Sequence, residues 1–346
     1  MNRYYVTSAR GLALGALLLF FLGACLRDDD GGGDTHTPPP PQEKTLSDPI
    51  RPLQMGTKIS VGSRDGSGPA KSCSFGFYAE PQYGVSGVTA FLGGLVTASH
   101  CTNMKLDTWG EYEVPYGEPI WQSSPTNSVQ VARVMIKPPI RLPGEGSGDQ
   151  YCPYADQEGN AVDFCLFADA AYAEFDIADL PENRRVGAVA SVDLSVFDTV
   201  TKPVIEDDPD RQTAVLQAPT EGESIYKIGY AGGKTEGRVE RELDQAPTVA
   251  PLDGKNVLLL GVYVVQNVNS PPLVVGGDSG GPVMHSRNPG NPYGPFWLAG
   301  ITVQSYGPDL VVVEPISDIQ TELGIEPLFD ADDGYLSIAP AAEGSK

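Results

Sequence analysis

Histidine is scarce in this chain: three stand among 346 residues, at positions 36, 100 and 285. Any chemistry that needs an imidazole base must draw on those three. Basic side chains are also few, 23 Lys and Arg against 45 Asp and Glu, for a formal charge of −22. Phosphate backbones are gripped by basic patches, so this balance excludes nucleic acid as a partner. Its plain consequence is solubility and resistance to association, and a monomer is expected. No internal repeat is present, and nothing in the composition calls for a cofactor or a metal. The apolar run near the amino end is too short to favour a membrane span.

Cysteine is equally sparing, and its five copies are an odd number that needs an account in an exported protein. Residues 1–24 carry Arg3 and Arg10, then an uncharged apolar run, and finish as Leu22-Gly23-Ala24 before Cys25. That is the layout of a secretory signal. The last four residues resemble the lipobox of bacterial lipoproteins, which implies that Cys25 becomes the lipidated first residue of the mature chain. Leu26 then points to outer-membrane sorting, with the protein held in the cell envelope on its extracytoplasmic side. Residues 25–57 shift to Asp28-Asp29-Asp30, three glycines, and Pro38 to Pro41. Such a stretch cannot bury enough apolar surface to fold and reads as a tether, roughly 30 residues spanning about 30 Å as a coil. Residues 327–346 read as an acidic tail.

The carboxyl half holds Gly277-Asp278-Ser279-Gly280-Gly281-Pro282-Val283, a serine set among glycines. A serine hydroxyl attacks a carbonyl only if a neighbouring base removes its proton as the bond forms. His36 lies in the Pro-rich stretch, and His285 follows the serine too closely to be positioned independently. His100, in Thr97-Ala98-Ser99-His100-Cys101, remains.

These two segments resemble the chymotrypsin and trypsin superfamily of serine endopeptidases, in particular the bacterial secreted branch of streptogrisins and alpha-lytic protease. The resemblance covers residues 58–326. It implies that His100 is the general base, that Ser279 is the nucleophile, and that the N–H groups of Gly277 and Ser279 form an oxyanion hole. Ser99 departs from the pattern, which has alanine or glycine there. Gly277 to Gly281 also fits the nucleophile elbow of the alpha/beta-hydrolases, but that elbow needs a helix directly after the serine and a histidine downstream. Gly280-Gly281-Pro282 is a poor helix start, and no suitable histidine follows.

The third member must be a carboxylate between His100 and Ser279 that orients the imidazole. Asp169, within Phe164-Cys165-Leu166-Phe167-Ala168-Asp169-Ala170-Ala171, sits where a charge is costly to bury without a partner. Asp163 is the rival, but it precedes the apolar run and reads as a solvated loop residue. The Asp169 segment also looks like the family's Asp-Ala-Ala strand.

Short β-branched runs at 88–92, 131–136, 186–192, 257–265, 298–303 and 310–313 favour strands. Residues 316–323 form the one convincing helical stretch. The resemblance implies an all-β fold of two six-stranded antiparallel barrels with a short carboxyl-terminal helix, the first over 58–185 and the second, with the helix, over 186–326. Tyr226-Lys227-Ile228-Gly229 and residues 233–239 resemble a hairpin of the bacterial members. Residues 138–150 and the loop ending at Cys165 look like an insertion. With Cys25 set aside, four cysteines allow three pairings; the resemblance selects Cys73 with Cys101 and Cys152 with Cys165. Ser305-Tyr306-Gly307 resembles the edge that holds substrate, and Leu273 occupies the place that is acidic in trypsin-like members, so cleavage after Lys or Arg is not expected. The Ile-Val-Gly-Gly cleavage site of the animal enzymes is absent, so Asp278 should have internal partners and the site should be preformed. The resulting expectation is a lipid-anchored endopeptidase acting on protein or peptide substrates. A silent member that binds protein, or an esterase of the same fold, would share these residues.

Overall fold

The computed structural model describes residues 47, 53, 55–62, 71–81, 93–102, 105–106, 112–113, 117–123, 128–175, 220–247, 255–268, 273–286, 296–306 and 309–327. The signal, Cys25, most of the tether, the apolar runs at 88–92 and 186–192, Gly307 and the acidic tail beyond 327 lie outside the described residues. The end of the expected tether does not: Leu53, Met55 and Thr57 are buried, Leu53 and Met55 join the core, and Gly56 N–H donates to Phe75 O, so the folded body begins before residue 58. In chain order the strands are β1 (Lys58–Val61), β2 (Lys71–Ser74), β3 (Phe77–Pro81), β4 (Gly94–Thr97), β5 (Lys105–Leu106), β6 (Tyr112–Glu113), β7 (Pro119–Ser123), β8 (Ser128–Ile136), β9 (Phe164–Leu166) and β10 (Ala171–Phe175). They continue as β11 (Ser224–Gly229), β12 (Gly233–Pro247), β13 (Val257–Asn267), β14 (Pro282–Ser286), β15 (Phe296–Tyr306) and β16 (Leu310–Pro315). Helix α1 (Ile316–Leu323) and β17 (Ile325–Pro327) end the described chain.

Two sheets carry the architecture. The first runs β17-β3-β4-β10-β8-β7-β1-β2. Apart from β17, its outer strands are β3 and β2, which are separated in the chain only by Phe75 and Gly76. The sheet therefore curls until one bent strand closes it, giving six antiparallel strands around the core. Phe75 N–H donates to Thr57 O at 2.9 Å and Gly76 N–H to Val96 O at 2.8 Å, carrying the ladder around the bend. The second sheet runs β12-β11-β14-β15-β16-β13, and β13 pairs back onto β12, a closed ring of six. Closure removes the exposed edges that would otherwise invite aggregation. The result is the all-β, two-barrel architecture with a short carboxyl helix.

The sequence explains these elements locally. The 257–265 run became β13, whose side chains from Val257 to Leu260 are all buried; β-branched side chains pack well on such a doubly covered strand. The runs at 131–136, 298–303 and 310–313 lie within β8, β15 and β16. The hairpin pairs Tyr226 with Glu236 and Gly229 with Gly233. Helix α1 matches its expected bounds, buries Ile316, Ile319 and Leu323 at helical spacing, and stops where Gly324 takes φ +60° and donates to Gln320 O.

Two strands cross the division drawn at residue 185. β9, early in the chain, pairs in parallel with β13 of the second sheet. β17, at the end, pairs with β3 of the first. A two-barrel molecule gains stability when each half lends a strand to the other, and one apolar cluster accordingly joins Phe75, Phe77, Tyr78 and Leu95 to Ile228, Ile301 and Ile316. Each such side chain contributes about 1.5–3 kcal/mol when fully buried. Both expected disulfides form, Cys73–Cys101 with Cα atoms 6.2 Å apart and Cys152–Cys165 at 5.7 Å. The second clamps the 138–163 insertion, where Arg141 also bridges to Cys165.

Gly300 shows how tightly β15 and β16 approach, because a Cβ there would lie 1.9 Å from Glu314 O. Glu314 itself, on β16, is a fully buried acid. Burial raises its carboxyl well above its ordinary value of 4.5, and Asp318, Asp169 and Glu322 nearby push it the same way, against one backbone hydrogen bond from Asp169. Burial also raises Glu322, although Arg141, 3.6 Å away, opposes the shift. A raised carboxyl contributes stability that is whole below its unfolded value and is lost as pH rises through the folded one. The melting temperature of the wild type should therefore fall more steeply than that of Glu314→Gln as pH rises above the ordinary carboxylate range, each kcal/mol appearing as about 2–4 °C. Parallel slopes in a thermal-melt series would show that Glu314 does not carry its proton into the folded state.

Candidate functional site

His100 stands on a single turn of 3₁₀ helix, Ser99–Cys101, directly after β4. Several contacts hold that turn. Cys101 is tied by its disulfide to Cys73, Thr102 Oγ1 donates to Ser99 O at 2.7 Å, and Lys71 Nζ donates to His100 O at 3.0 Å and Thr102 O at 3.1 Å. The imidazole is thereby presented, partly exposed, at the seam between the barrels.

Asp169 lies between β9 and β10 and is 2% exposed. His100 Nδ1 approaches its Oδ2 at 2.5 Å, and His100 N–H donates to Oδ1 at 2.9 Å. Ser99 Oγ also donates to Oδ1, at 2.5 Å. Burial by itself would raise this carboxyl, but the adjacent imidazole and the hydrogen bonds from His100 and Ser99 outweigh it, and the net shift is downward. Asp169 is thus the carboxylate that meets the histidine. Asp163 is elsewhere: its Oδ2 accepts from Asn256 N–H at 2.7 Å, and Lys255 Nζ lies 3.4 Å from Oδ1.

Ser279 occupies the loop between β13 and β14, brought to the same seam through its backbone. Ser74 N–H donates to Ser279 O at 2.8 Å, and Cys101 Sγ lies 4.0 Å from that oxygen, so the residue beside His100 touches the residue carrying the hydroxyl. Among the described residues, Ser279 Oγ hydrogen-bonds to Val303 O at 3.0 Å and not to the imidazole. Gly277 takes φ +104°, a conformation that L side chains resist, and a Cβ there would lie 2.5 Å from the Tyr230 hydroxyl. Its carbonyl is fixed by Ser74 Oγ at 3.0 Å, which in turn accepts Tyr230 N–H at 3.0 Å. Among the described residues, the N–H groups of Gly277 and Ser279 donate to no acceptor.

Asp278 has the internal partners expected of it. Lys227 Nζ lies 2.5 Å from its Oδ2, with both side chains buried, and the N–H groups of Gly232, Val275 and Ala231 donate to the same carboxylate at 2.8, 3.1 and 3.2 Å. Desolvation lowers the Lys227 ammonium, and Asp278 opposes that shift.

Of the expected substrate residues, Leu273 is placed differently. Leu273 is buried with Ile225, Val265 and Val283 in the interior of the second barrel. It therefore acts as core there, and its carbonyl accepts Thr235 Oγ1 at 2.8 Å. Ser305 and Tyr306 are β15 residues opposite Val311 and Leu310 of β16. The residue that accepts the hydroxyl's hydrogen bond is Val303, two positions earlier, where a bulge between Thr302 and Gln304 shifts the pairing with β16. Among the described residues β14 pairs with β15 only as far as Ile301, so the stretch of β15 beyond it runs from beside Ser279 through Ser305 and Tyr306. The bulge shifts the register in a way no residue type announces.

Ser99, Ser74, Val303, Lys227 and Glu314 were not legible as site residues. The signal for Lys227 was a lysine within an otherwise apolar hairpin strand, and for Ser99 its departure from the usual small apolar residue. His285 is buried on β14, its Nδ1 3.4 Å from Glu223 Oε2. Among the described residues, no cluster of three or more His, Cys, Asp or Glu is arranged to hold a metal ion, and no helix is long and apolar enough to cross a membrane.

No protein-family profile matches the chain, and no curated protein matches it. Among solved structures, it overlaps Thermobifida fusca protease A at 15% identity and a TM-score of 0.41, covering 80% of this chain and 98% of that one. A Nocardiopsis protease gives 12% identity and a TM-score of 0.39, with 80% and 98% covered. A glutamic acid specific serine protease, described as using a histidine triad in substrate binding, gives 15% and 0.41, with 80% and 100% covered. At these TM-scores the overlaps carry no weight for residue roles or activity.

Proposed function

We propose that this chain is an extracytoplasmic serine endopeptidase, anchored to the membrane by lipid on Cys25. The observation that carries the reading is the hydrogen-bonded His100–Asp169 pair at the same seam as a serine whose neighbouring N–H groups are unclaimed. Ser279 Oγ bonds to the scissile carbonyl carbon while His100 takes the hydroxyl proton, and the oxyanion is received by the N–H groups of Gly277 and Ser279. The C–N bond then breaks, and the same proton passes to the leaving amine. Water repeats the sequence on the acyl-enzyme and restores the hydroxyl. Asp169 stays ionised throughout and stabilises the imidazolium.

The hydroxyl's resting bond to Val303 O fits this scheme. A substrate strand adding to the edge of β15 needs acceptors from that edge, and a substrate N–H taken up by Val303 O would free Oγ from its resting bond. The disulfides support an oxidising compartment, and the buried Lys227–Asp278 pair supports a site assembled without cleavage. Specificity rests with side chains other than an acid at 273. A second reading, a silent binding protein, draws on the same Oγ to Val303 contact, since a hydroxyl held there permanently would never meet its base.

A fluorophosphonate probe should label the purified protein and leave Ser279→Ala unlabelled; no labelling of the wild type would favour the silent reading, and labelling without cleavage of a peptide library would favour an esterase. Lys227→Met leaves a buried carboxylate unpaired, which costs about 3–5 kcal/mol. We expect it to lower the melting temperature and to slow labelling, with Lys227→Met combined with Asp278→Asn recovering stability. An unchanged rate in the single variant would show that the pair does not hold the serine loop. Cys25→Ala should move the protein from the membrane to the soluble fraction of cells, and continued sedimentation with membranes would remove the lipid anchor from the scheme.

A further inference from the structure

Asp169 is held from two sides by groups that the reaction does not consume. On the carboxylate side, Ser99 Oγ reaches Oδ1 at 2.5 Å, and Ser99 N–H also donates to Asp169 O at 3.2 Å. On the backbone side, Asp169 N–H donates to Glu314 Oε2 at 3.0 Å. Ser99 and Glu314 are both completely buried. Glu314 Oε1 has no hydrogen-bond partner among the described residues, so this acid is aimed at residue 169 and at nothing else described.

We propose that Ser99 and Glu314 are positioning residues for Asp169, Ser99 fixing the rotation of its carboxylate and Glu314 fixing the peptide from which it projects. The proposal rests on the reading of His100 and Asp169 as the pair that activates Ser279. Without Ser99, Oδ1 keeps a single donor, His100 N–H, and the carboxylate turns more freely about its Cβ–Cγ bond. Without Glu314, a buried backbone N–H loses its acceptor and the segment between β9 and β10 must shift to find another. Glu314 can face Asp169 only as a neutral acid, because a second buried carboxylate beside the first, with no cation paired to it among the described residues, would be strongly disfavoured. As an acid it accepts through Oε2 and carries its proton on Oε1. Glutamine copies that acceptor, whereas alanine and methionine do not.

The experiment measures fluorophosphonate labelling kinetics together with site-resolved amide exchange at residue 169. Ser99→Ala and Glu314→Ala should each slow the covalent step about ten-fold, the size expected of one hydrogen bond to a charged or buried group, without changing the probe concentration at half-saturation. Glu314→Gln should recover most of the loss. The Asp169 amide should exchange faster in Glu314→Ala than in wild type and return toward wild type in Glu314→Gln. Thermal melts check folding, and Glu314→Met, which fills the volume without an acceptor, replaces Glu314→Ala if the latter does not fold. Wild-type labelling rates in the folded Ser99→Ala and Glu314→Ala proteins overturn the proposal, as does a glutamine variant no better than alanine in both measurements. Absence of labelling in the wild type defeats the peptidase reading itself, and amide exchange then still decides whether Glu314 holds residue 169.

Discussion

A carboxylate removed from water must be given donors, and the seam between the two barrels is organised around that requirement at Asp169. Burial alone would neutralise this group. It stays ionised because the imidazole, the His100 N–H and the Ser99 hydroxyl converge on its two oxygens. Each donor comes from the same 3₁₀ turn, which explains why so short an element is fastened by a disulfide, a lysine and a threonine at once. If the turn loosened, the carboxylate would lose all three donors together, so local order at residues 99–101 and the ionisation of Asp169 are one constraint.

A second buried carboxylate, Asp278, sits beside Ser279 and is compensated differently. Here a lysine from β11 supplies the charge, and three backbone N–H groups supply the hydrogen bonds. Such a pair gives little net stability over an apolar alternative, because desolvation offsets attraction, but losing one partner is costly. Its effect is to restrict conformation: the serine loop cannot swing out without uncovering both charges. Ser74 adds to this by joining Gly277 O to Tyr230 N–H. The positive φ of Gly277 is therefore held from its carbonyl side.

How much of this was legible follows from which features are local. The strands at 131–136, 257–265 and 310–313, the helix at 316–323 and the 226–239 hairpin could be read because β-branched runs, helical spacing and turn glycines act over a few residues. An apolar setting favoured Asp169 over Asp163, and the contact with His100 decides between them. Strand exchange between barrels was not legible, because β9 and β17 are three-residue strands whose partners are fixed by tertiary packing alone. The Thr302/Gln304 bulge was not legible because it is a backbone event, and Leu273 was read by position while its side chain lies in the core of the second barrel. Ser99 was noticed and taken as merely tolerated. Its hydroxyl matters only once Asp169 is known to be 2.5 Å away, a distance spanning 69 intervening residues.

The bond from Ser279 Oγ to Val303 O is where structure and proposed reaction meet most directly. In energetic terms, exchanging one neutral hydrogen bond for another changes little, on the order of 1 kcal/mol either way, so the resting state is not a deep trap. What decides the exchange is whether Val303 O is claimed by something else. The pairing with β16 shifts register at this carbonyl, and β14 ends before reaching it; the hydroxyl uses it in this structure, and on the proposed scheme an incoming strand would take it instead. Binding along the edge would then release the nucleophile at the moment the scissile bond arrives. An occupant that pairs with the edge but does not reach Val303 O would leave Oγ where it rests, so on this scheme engagement of that one carbonyl separates substrates from mere ligands.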